Sequence, residues 1–404
     1  MSVDRIITRP LTILLLLTGS GCDDGGGTGV SEGVSEGSTG EVASTGPGTT
    51  VGGTTDATGT TGKATPASDD TTGDSTTADS GDDETTAQTS SSGEPADPKP
   101  PIPEDLVHYV TGNPDDADVD PTGPGLVLMG GGSDVDEAFQ WWGDYIAGGD
   151  VVVIRTRGSD GYNEYLYDFG NADSVETMLI TSKELALDPY VSWTLRHAEA
   201  IWMAGGDQAT YLDNWMNTPV EDAIEQAWDR GAIVGGTSAG LAVLGEFMFA
   251  AYNDTVYSYE ALEDPYNQYM TMEQGFLALH PMVGIITDSH FGERDRMGRL
   301  VGFLARIHAD GWANAVTGLG IDERTAVVVD PDGEGTVIGQ NNVYVVHADQ
   351  APEVCAPGTD LEYAGLEYYT LVPGSTLTFP GATVVGAPSP LAASAGATIP
   401  ADPY

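Results

Sequence analysis

The sequence predicts an α/β domain built on a doubly wound, mainly parallel β-sheet. From about residue 104, short apolar runs typical of buried strands alternate with amphipathic, helix-compatible stretches. This alternation is typical of a parallel sheet covered by helices on both faces. After residue 315, short strand-like segments follow one another across Asp, Gly and Asn turns. They predict a C-terminal antiparallel β extension of the same domain.

The individual elements follow from the apolar runs and the turn residues between them. Strands are expected at 126–129, 151–154, 177–181, 200–203, 232–234 and 283–286. Helices are expected around 138–146, 208–216 and 220–230. The strands expected in the extension are 327–329, 336–338 and 343–346.

The charge and the cysteine content exclude several classes of function. The 404 residues include 62 acidic and 14 basic side chains, for a formal net charge of −48. Such a chain lacks the basic surface that binds nucleic acid or anionic lipid. The two cysteines, Cys22 and Cys355, cannot build a disulfide framework or a cysteine zinc site.

The first 22 residues predict a lipoprotein-type signal peptide. Arg5 and Arg9 precede a short apolar run at 11–17, which is too short to span a bilayer. Cys22 follows three small residues, as in a bacterial lipoprotein signal, where the cysteine is lipidated. Ordinary signal cleavage stays open, because Gly19 stands where that signal usually has Leu. The expected location is the cell envelope, lipid-anchored or secreted, with membrane contact only through an N-terminal lipid.

Residues 23–103 predict a disordered linker and residues 104–404 predict the folded domain. The linker is rich in Gly, Ser, Thr and Asp and has almost no large apolar side chains, so it cannot bury a core. Prolines at 98, 100, 101 and 103 mark the boundary.

The sequence Gly236-Thr237-Ser238-Ala239-Gly240 predicts a nucleophilic serine. It is a G-x-S-x-G motif directly after an expected strand and before an apolar, helix-compatible stretch, which is the context of a nucleophile elbow. The flanking glycines permit a sharp turn that lifts the hydroxyl off the sheet. A Walker phosphate loop is excluded, because it would need a lysine beside the serine.

His290 is the candidate base among six histidines, because it follows the expected strand at 283–286. Ligands bind at the carboxyl ends of strands in open α/β sheets. Of the ten basic residues after residue 100, Arg294, Arg296, Arg299 and Arg306 fall within thirteen positions. Arginine binds carboxylates with two parallel hydrogen bonds, so the cluster predicts a site for an acidic substrate. Pairing with acids inside the domain is the structural alternative.

Four motifs in order resemble cyanophycinase and its relatives, a serine peptidase family that includes aspartyl dipeptidase (peptidase E). They are the elbow, Gly205-Gly206-Asp207-Gln208, the run from Asp288 to Leu300, and Gly320-Ile321-Asp322-Glu323. The resemblance covers roughly residues 120–350 and implies a fold like class I glutamine amidotransferases, of the flavodoxin-like type. The order Ser, His, Glu differs from the Ser, Asp/Glu, His order of α/β-hydrolases.

The resemblance also implies roles for individual residues. Ser238 would be the nucleophile, His290 the base and Glu323 the carboxylate that orients the histidine. The backbone amides of Gly131 and Ala239 would form the oxyanion hole. The positions that match the family's substrate pocket are Gln208, Asp288, Arg294, Arg296 and Arg299. No metal or cofactor is implied.

The function that the resemblance implies is hydrolysis of cyanophycin, a polyaspartate with arginine on each side chain, to β-aspartyl-arginine dipeptides. Ser289 departs from the cyanophycinase pattern, which has Gln there. Hydrolysis of short α-aspartyl or isoaspartyl peptides therefore stays open, as does a binding protein that has lost activity. The sequence does not decide the oligomeric state, and a homodimer stays open.

Overall fold

The computed structural model describes residues 97–404. The signal peptide with Cys22, and the linker up to residue 96, lie outside the described residues and stay predictions. Near the expected domain boundary, Trp193 Nε1 donates a hydrogen bond to the carbonyl of Asp97 (2.9 Å). Arg196 pairs with the Asp97 carboxylate (3.0 Å), so contacts with the domain begin before residue 104. No helix in the described range is long and apolar enough to cross a membrane.

The described chain contains seventeen strands and nine α-helices. The strands are β1 Val107–Gly112, β2 Gly125–Met129, β3 Asp150–Arg155, β4 Ser174–Leu179, β5 Ala200–Met203, β6 Ile233–Thr237, β7 Phe247–Phe249, β8 Met272–Gln274, β9 Ile285–Asp288, β10 Val316–Ile321, β11 Thr325–Val329, β12 Glu334–Gly339, β13 Val343–Ala348, β14 Tyr363–Leu371, β15 Thr376–Thr378, β16 Ser389–Ser394 and β17 Ala397–Ile399. The helices are α1 Asp136–Trp142, α2 Asn163–Phe169, α3 Lys183–Ala186, α4 Pro189–His197, α5 Gln208–Trp215, α6 Pro219–Asp229, α7 Ala239–Ala242, α8 Ser258–Glu263 and α9 Met297–Ala309.

The first sheet has the strand order β1-β4-β3-β5-β6-β2-β11-β12-β15. Its five central strands, from β4 to β2, are parallel, and the strands at both edges are antiparallel. β2, β5 and β6 are buried along their whole length, as expected for parallel strands covered on both faces. The predicted mainly parallel α/β sheet is confirmed.

Side chains of the central strands alternate between two hydrophobic cores, because successive residues of a strand point to opposite faces. Leu126 and Leu128 of β2 belong to the core that includes α4, α5 and α6. Val127 and Met129 belong to the core that includes α1 and α2. The helices therefore cover both faces of the sheet, which is the doubly wound arrangement.

The second sheet has the order β17-β16-β14-β13-β10-β9-β7-β8. β9 runs parallel to β7 and β10, and the other pairs are antiparallel. The predicted antiparallel extension is present, and its strands divide between the sheets. β11, β12 and β15 extend the first sheet, whereas β13, β14, β16 and β17 join β9 and β10 in the second.

The two sheets meet where β2, β9 and β10 end. The backbone N–H of His290, just after β9, donates a hydrogen bond to the carbonyl of Gly130, just after β2 (2.8 Å). Phe291 N donates to the carbonyl of Ile321 at the end of β10 (3.2 Å), and Gly130 N donates to the carbonyl of Thr325 (3.0 Å). These backbone bonds bring three strand ends together beside β6.

Candidate active site

Ser238 lies on a strained turn between β6 and α7. Its backbone has φ 55° and ψ −112°, outside the regions that L-residues usually adopt. Two glycines permit this turn. A Cβ at Gly240 would lie 2.0 Å from the carbonyl oxygen of Met203, and one at Gly236 would lie 2.6 Å from the backbone of Gly240. The chain therefore turns directly against the sheet, as the G-x-S-x-G motif predicts.

Ser238, His290 and Glu323 form one hydrogen-bonded line. Ser238 Oγ lies 2.8 Å from His290 Nε2, and His290 Nδ1 lies 2.7 Å from Glu323 Oε1. The imidazole lies against the backbone of Gly131, where an added Cβ would be 2.5 Å from His290 Cε1. His290 itself has a positive φ of 46°, a second strained backbone position at the site.

Glu323 lies on the turn that joins β10 of the second sheet to β11 of the first. The neighbouring Arg324 N donates a hydrogen bond to the carbonyl of Gly131 (2.8 Å), and Asn341 Nδ2 donates to the carbonyl of Glu323 (2.9 Å). On the other side, Asp322 Oδ1 accepts from Gly292 N (2.7 Å). These bonds hold the turn so that the Glu323 carboxylate faces the imidazole.

The protonation states suit a serine–histidine pair. Burial lowers the pKa of His290, and the positive charges of Arg294 and Arg296 lower it further. The hydrogen bond that His290 Nδ1 donates to the Glu323 carboxylate opposes this shift. The hydrogen bond to His290 lowers the pKa of Glu323. At neutral pH the imidazole is therefore neutral and can accept a proton, and the carboxylate beside it is ionised.

The predicted oxyanion residues are Gly131, which lies against the His290 imidazole, and Ala239, which directly follows Ser238 at the start of α7. No described residue accepts a hydrogen bond from either N–H. Ser238 N donates to the carbonyl of Met129 (3.2 Å), which fixes the elbow beside the end of β2. Both amides are therefore free to donate to a ligand, as the predicted oxyanion hole requires.

The arginine cluster separates into two groups. Arg299 is 3 % exposed and binds the Asp288 carboxylate through Nε (2.7 Å) and Nη2 (2.5 Å). Its Nη1 donates to Thr255 Oγ1 (3.0 Å). Arg306 pairs with Asp310 on the same helix (2.8 Å). For these two arginines, pairing within the domain is the observed arrangement.

Asp288 departs from its predicted position in the substrate pocket. The residue is 3 % exposed, and both carboxylate oxygens accept hydrogen bonds from Arg299. Arg296 Nη1 also reaches it (3.3 Å). The carboxylate thus lies below the pocket surface, because it is needed to balance two guanidinium groups.

Arg296 and Arg294 line the pocket and carry positive charge there. Arg296 Nη1 donates to the carbonyl of Ser289 (2.7 Å), and burial lowers the pKa of Arg296 to about 10, so the group stays charged at neutral pH. Arg294 is exposed and forms no ion pair with the described residues. Gln208 begins α5 and lies on the same pocket, where its Nε2 is 3.5 Å from the carbonyl of Phe249.

A cavity of about 620 Å³ opens above Ser238 and His290. It contains the predicted residues Gln208, Ala239, Arg294, Arg296 and Arg299 in its walls. The sequence does not single out its other notable wall residues, which are Arg157, Tyr252, Asp254 and Tyr257. The rule applied to His290 could have found Arg157, a basic residue just after an expected strand. Within residues 97–404, no group of three or more His, Cys, Asp and Glu side chains has the arrangement of a metal site.

The chain is similar to known peptidases over the region that holds this site. Residues 168–335 match the model of Peptidase family S51. A cyanophycinase from Nostoc sp. is 34 % identical over 182 residues, which is 45 % of this chain and 56 % of the relative. A cyanophycinase from Synechococcus elongatus is 31 % identical over 201 residues, 48 % of this chain and 57 % of the relative. The chain therefore spans about half the length of these curated relatives.

Among solved structures, a peptidase from an acI-B1 Actinobacterium aligns with 64 % of this chain and 97 % of its own length. The TM-score is 0.44 and the sequence identity is 19 %. The predicted resemblance to the cyanophycinase-like family is confirmed by the sequence matches. The range matched by the family model, residues 168–335, includes Ser238, His290 and Glu323.

Proposed function

We propose that this chain, whose residues 168–335 match the model of Peptidase family S51, is a serine peptidase with Ser238 as its nucleophile. The observation that carries the proposal is the line from Ser238 Oγ through His290 to Glu323, with bonds of 2.8 and 2.7 Å. An intact line of this kind argues against a binding protein that has lost activity.

The reaction begins when His290 Nε2 takes the proton of Ser238 Oγ and the oxygen attacks the substrate carbonyl carbon. The oxyanion accepts hydrogen bonds from the amides of Gly131 and Ala239. The C–N bond breaks, and the leaving amine takes the proton from His290. Water then attacks the ester, His290 accepts its proton, and Ser238 leaves as the free hydroxyl. Glu323 orients the imidazole and stabilises its cation in both halves.

The substrate class that we propose is an aspartyl polymer or peptide, with cyanophycin as the first candidate. Arg294 and Arg296 provide positive charge for a substrate carboxylate beside Ser238. Tyr252, Tyr257 and Asp254 line the same cavity, and aromatic faces and a carboxylate suit a guanidinium group. A cavity with both kinds of group fits a substrate that carries carboxylates and arginine side chains.

A second candidate is hydrolysis of short α-aspartyl or isoaspartyl peptides, and Ser289 is the observation that favours it. Its hydroxyl is 3.4 Å from Arg296 Nη1, and its side chain is 4 % exposed. Since Ser is shorter than the Gln of the cyanophycinase pattern, it reaches less far into the cavity than that Gln would.

The test is to incubate the full-length protein with purified cyanophycin and, separately, with α-aspartyl and isoaspartyl dipeptides. Mass spectrometry of the products should show β-aspartyl-arginine from the polymer, and Ser238→Ala should abolish its release. Ser192→Ala is the matched control, because Ser192 lies on α4 and its hydroxyl bonds only to that helix and its cap. Turnover of the dipeptides alone would favour the second candidate. No turnover of any substrate, or full activity of Ser238→Ala, would contradict the proposal.

A further inference from the structure

Arg157 is an arginine of the cavity wall that no carboxylate among residues 97–404 neutralises. It lies just after β3, is exposed, and lines the cavity together with Ser238 and Arg294. No acidic side chain in the described part of the chain forms an ion pair with Arg157.

Four other arginines of the domain form ion pairs at 2.5–3.0 Å, namely Arg196 with Asp97, Arg230 with Glu199, Arg299 with Asp288 and Arg306 with Asp310. Of the ten basic residues after residue 100, four line the catalytic cavity: Arg157, Arg294, Arg296 and Arg299. Arg157 and Arg294 are the two of these four without an ion pair to the described residues. Their charge is therefore available to a ligand.

The loop that carries Arg157 is held in place on both sides. Arg155 Nη1 donates a hydrogen bond to the carbonyl of Ser159 across the loop (3.1 Å). Gly158 permits this, since its φ is +107° and an added Cβ would lie 2.5 Å from the Arg155 guanidinium. Thr156 Oγ1 lies 2.9 Å from Thr210 Oγ1 and so ties the loop to α5. The backbone at Arg157 is thus positioned before substrate arrives, which lowers the entropy lost on binding.

Arg157 and Arg294 approach Ser238 from opposite sides. Arg157 follows β3, which is separated from β6 by β5. β2 lies on the other side of β6. His290 N donates a hydrogen bond to the carbonyl of Gly130, just after β2, and Arg294 N donates to the carbonyl of His290. A substrate that lies across Ser238 would therefore have one arginine on each side of its scissile bond.

We propose that Arg157 binds a second free carboxylate of the substrate, on the opposite side of the scissile bond from the carboxylate bound by Arg294 and Arg296. The preferred substrate is then a peptide with a free carboxylate on both sides of that bond. This inference rests on the proposed peptidase function and adds to it the charge pattern of the substrate.

The test uses three synthetic aspartyl peptides of one sequence. One has both flanking carboxylates free, one has the acyl-side carboxylate amidated, and one has the leaving-side carboxylate amidated. Arg157→Gln should lower kcat/KM for the doubly free peptide by roughly ten- to 100-fold, the range expected for a lost charge-assisted hydrogen bond. Arg157→Gln should have little effect on the singly amidated peptide that lacks the carboxylate bound by Arg157, because that contact is already absent. Arg294→Gln should likewise have little effect on kcat/KM for the other singly amidated peptide.

Two further variants separate binding from structure. Arg157→Lys keeps the charge but not the planar fork, so it should retain part of the activity. Arg196→Gln removes one positive charge at the C-terminal end of α4, just before β5 begins, whereas the cavity lies beyond the carboxyl ends of the strands; it should match wild type on all three peptides. An equal loss on all three peptides for Arg157→Gln, or no loss on any, would overturn the proposal.

If the proposed peptidase function is wrong, the wild-type protein will hydrolyse none of the three peptides. In that case calorimetry should still show weaker binding of the doubly free peptide to Ser238→Ala/Arg157→Gln than to Ser238→Ala. Equal binding to the two proteins, or no binding to either, would also overturn the role of Arg157.

Discussion

Asp288→Asn should destabilise the domain rather than simply weaken substrate binding. The Asp288 carboxylate accepts two hydrogen bonds from Arg299 at 2.7 and 2.5 Å, and a third from Arg296 at 3.3 Å. The side chains of Asp288 and Arg299 are both 4 % exposed. Asparagine keeps the shape, but it removes the charge and turns an NH2 group toward the guanidinium donors. The variant therefore leaves a buried cation without its counter-ion.

The size of the effect follows from this burial. Breaking a buried ion pair by removing one partner lowers the free energy of unfolding by about 3–5 kcal/mol. For a domain of about 300 residues the unfolding entropy is about 0.6 kcal/mol per kelvin, so the melting temperature should fall by about 5–8 °C. If the pair were exposed, the loss in free energy of unfolding would be far smaller, since an exposed i,i+4 ion pair contributes about 0.3–0.5 kcal/mol.

Scanning calorimetry of Asp288→Asn measures this difference, with Asp310→Asn as the matched control. Asp310 also accepts two hydrogen bonds from one arginine, Arg306, but it lies exposed at the end of α9. The melting temperature of Asp310→Asn should fall by about 1 °C or less. The melting temperature of Arg299→Leu should fall by a similar amount to that of Asp288→Asn. For the double variant, the fall should be smaller than the sum of the two single falls. A melting temperature of Asp288→Asn within about 1 °C of wild type would refute the reasoning.

Two predictions concern the catalytic line itself. Arg294→Gln removes a positive charge that lowers the pKa of His290, so this pKa should rise. Since the base must be neutral, the acid limb of kcat/KM should move to higher pH in a pH–rate profile; an unchanged limb, or one moved to lower pH, would contradict the assignment. Gly131→Ala should lower kcat by about 10²–10³-fold in a steady-state assay, because its Cβ would lie 2.6 Å from His290 Nε2 and shift the imidazole or the oxyanion amide. Gly161→Ala is the control, since a Cβ there meets nothing within 4 Å, and equal activities of the two variants would count against this role.

The sequence predicts the interior of the first sheet well, because its central strands are continuous apolar runs. β2, β5 and β6 lie where those runs are. β1 is different, since it is a half-exposed edge strand, VHYVTG, that pairs antiparallel with β4 and has no apolar run to reveal it. The pairing of β9 with β10 in a second sheet is equally hidden, because strand partners are chosen by contacts between distant segments.

The arginine cluster shows the same limit at the level of side chains. Spacing in the sequence places Arg294, Arg296 and Arg299 close together, but it does not say which of them faces solvent. The fold turns Arg299 inward against Asp288 and leaves Arg294 in the cavity. It also brings in Arg157, which is more than 130 residues away along the chain.

The sequence by itself determined the α/β class, the turn that carries Ser238 and the resemblance to the cyanophycinase-like family. These depend on local patterns: apolar periodicity, glycines at a sharp turn, and short motifs in a set order. Only the tertiary structure decided which side chains meet. Ser238, His290 and Glu323 follow strands of two different sheets, and backbone hydrogen bonds between the ends of β2, β9 and β10 place them in one line. The physical reason is that each of these contacts joins segments far apart in the chain, so it exists only after the sheets have packed together.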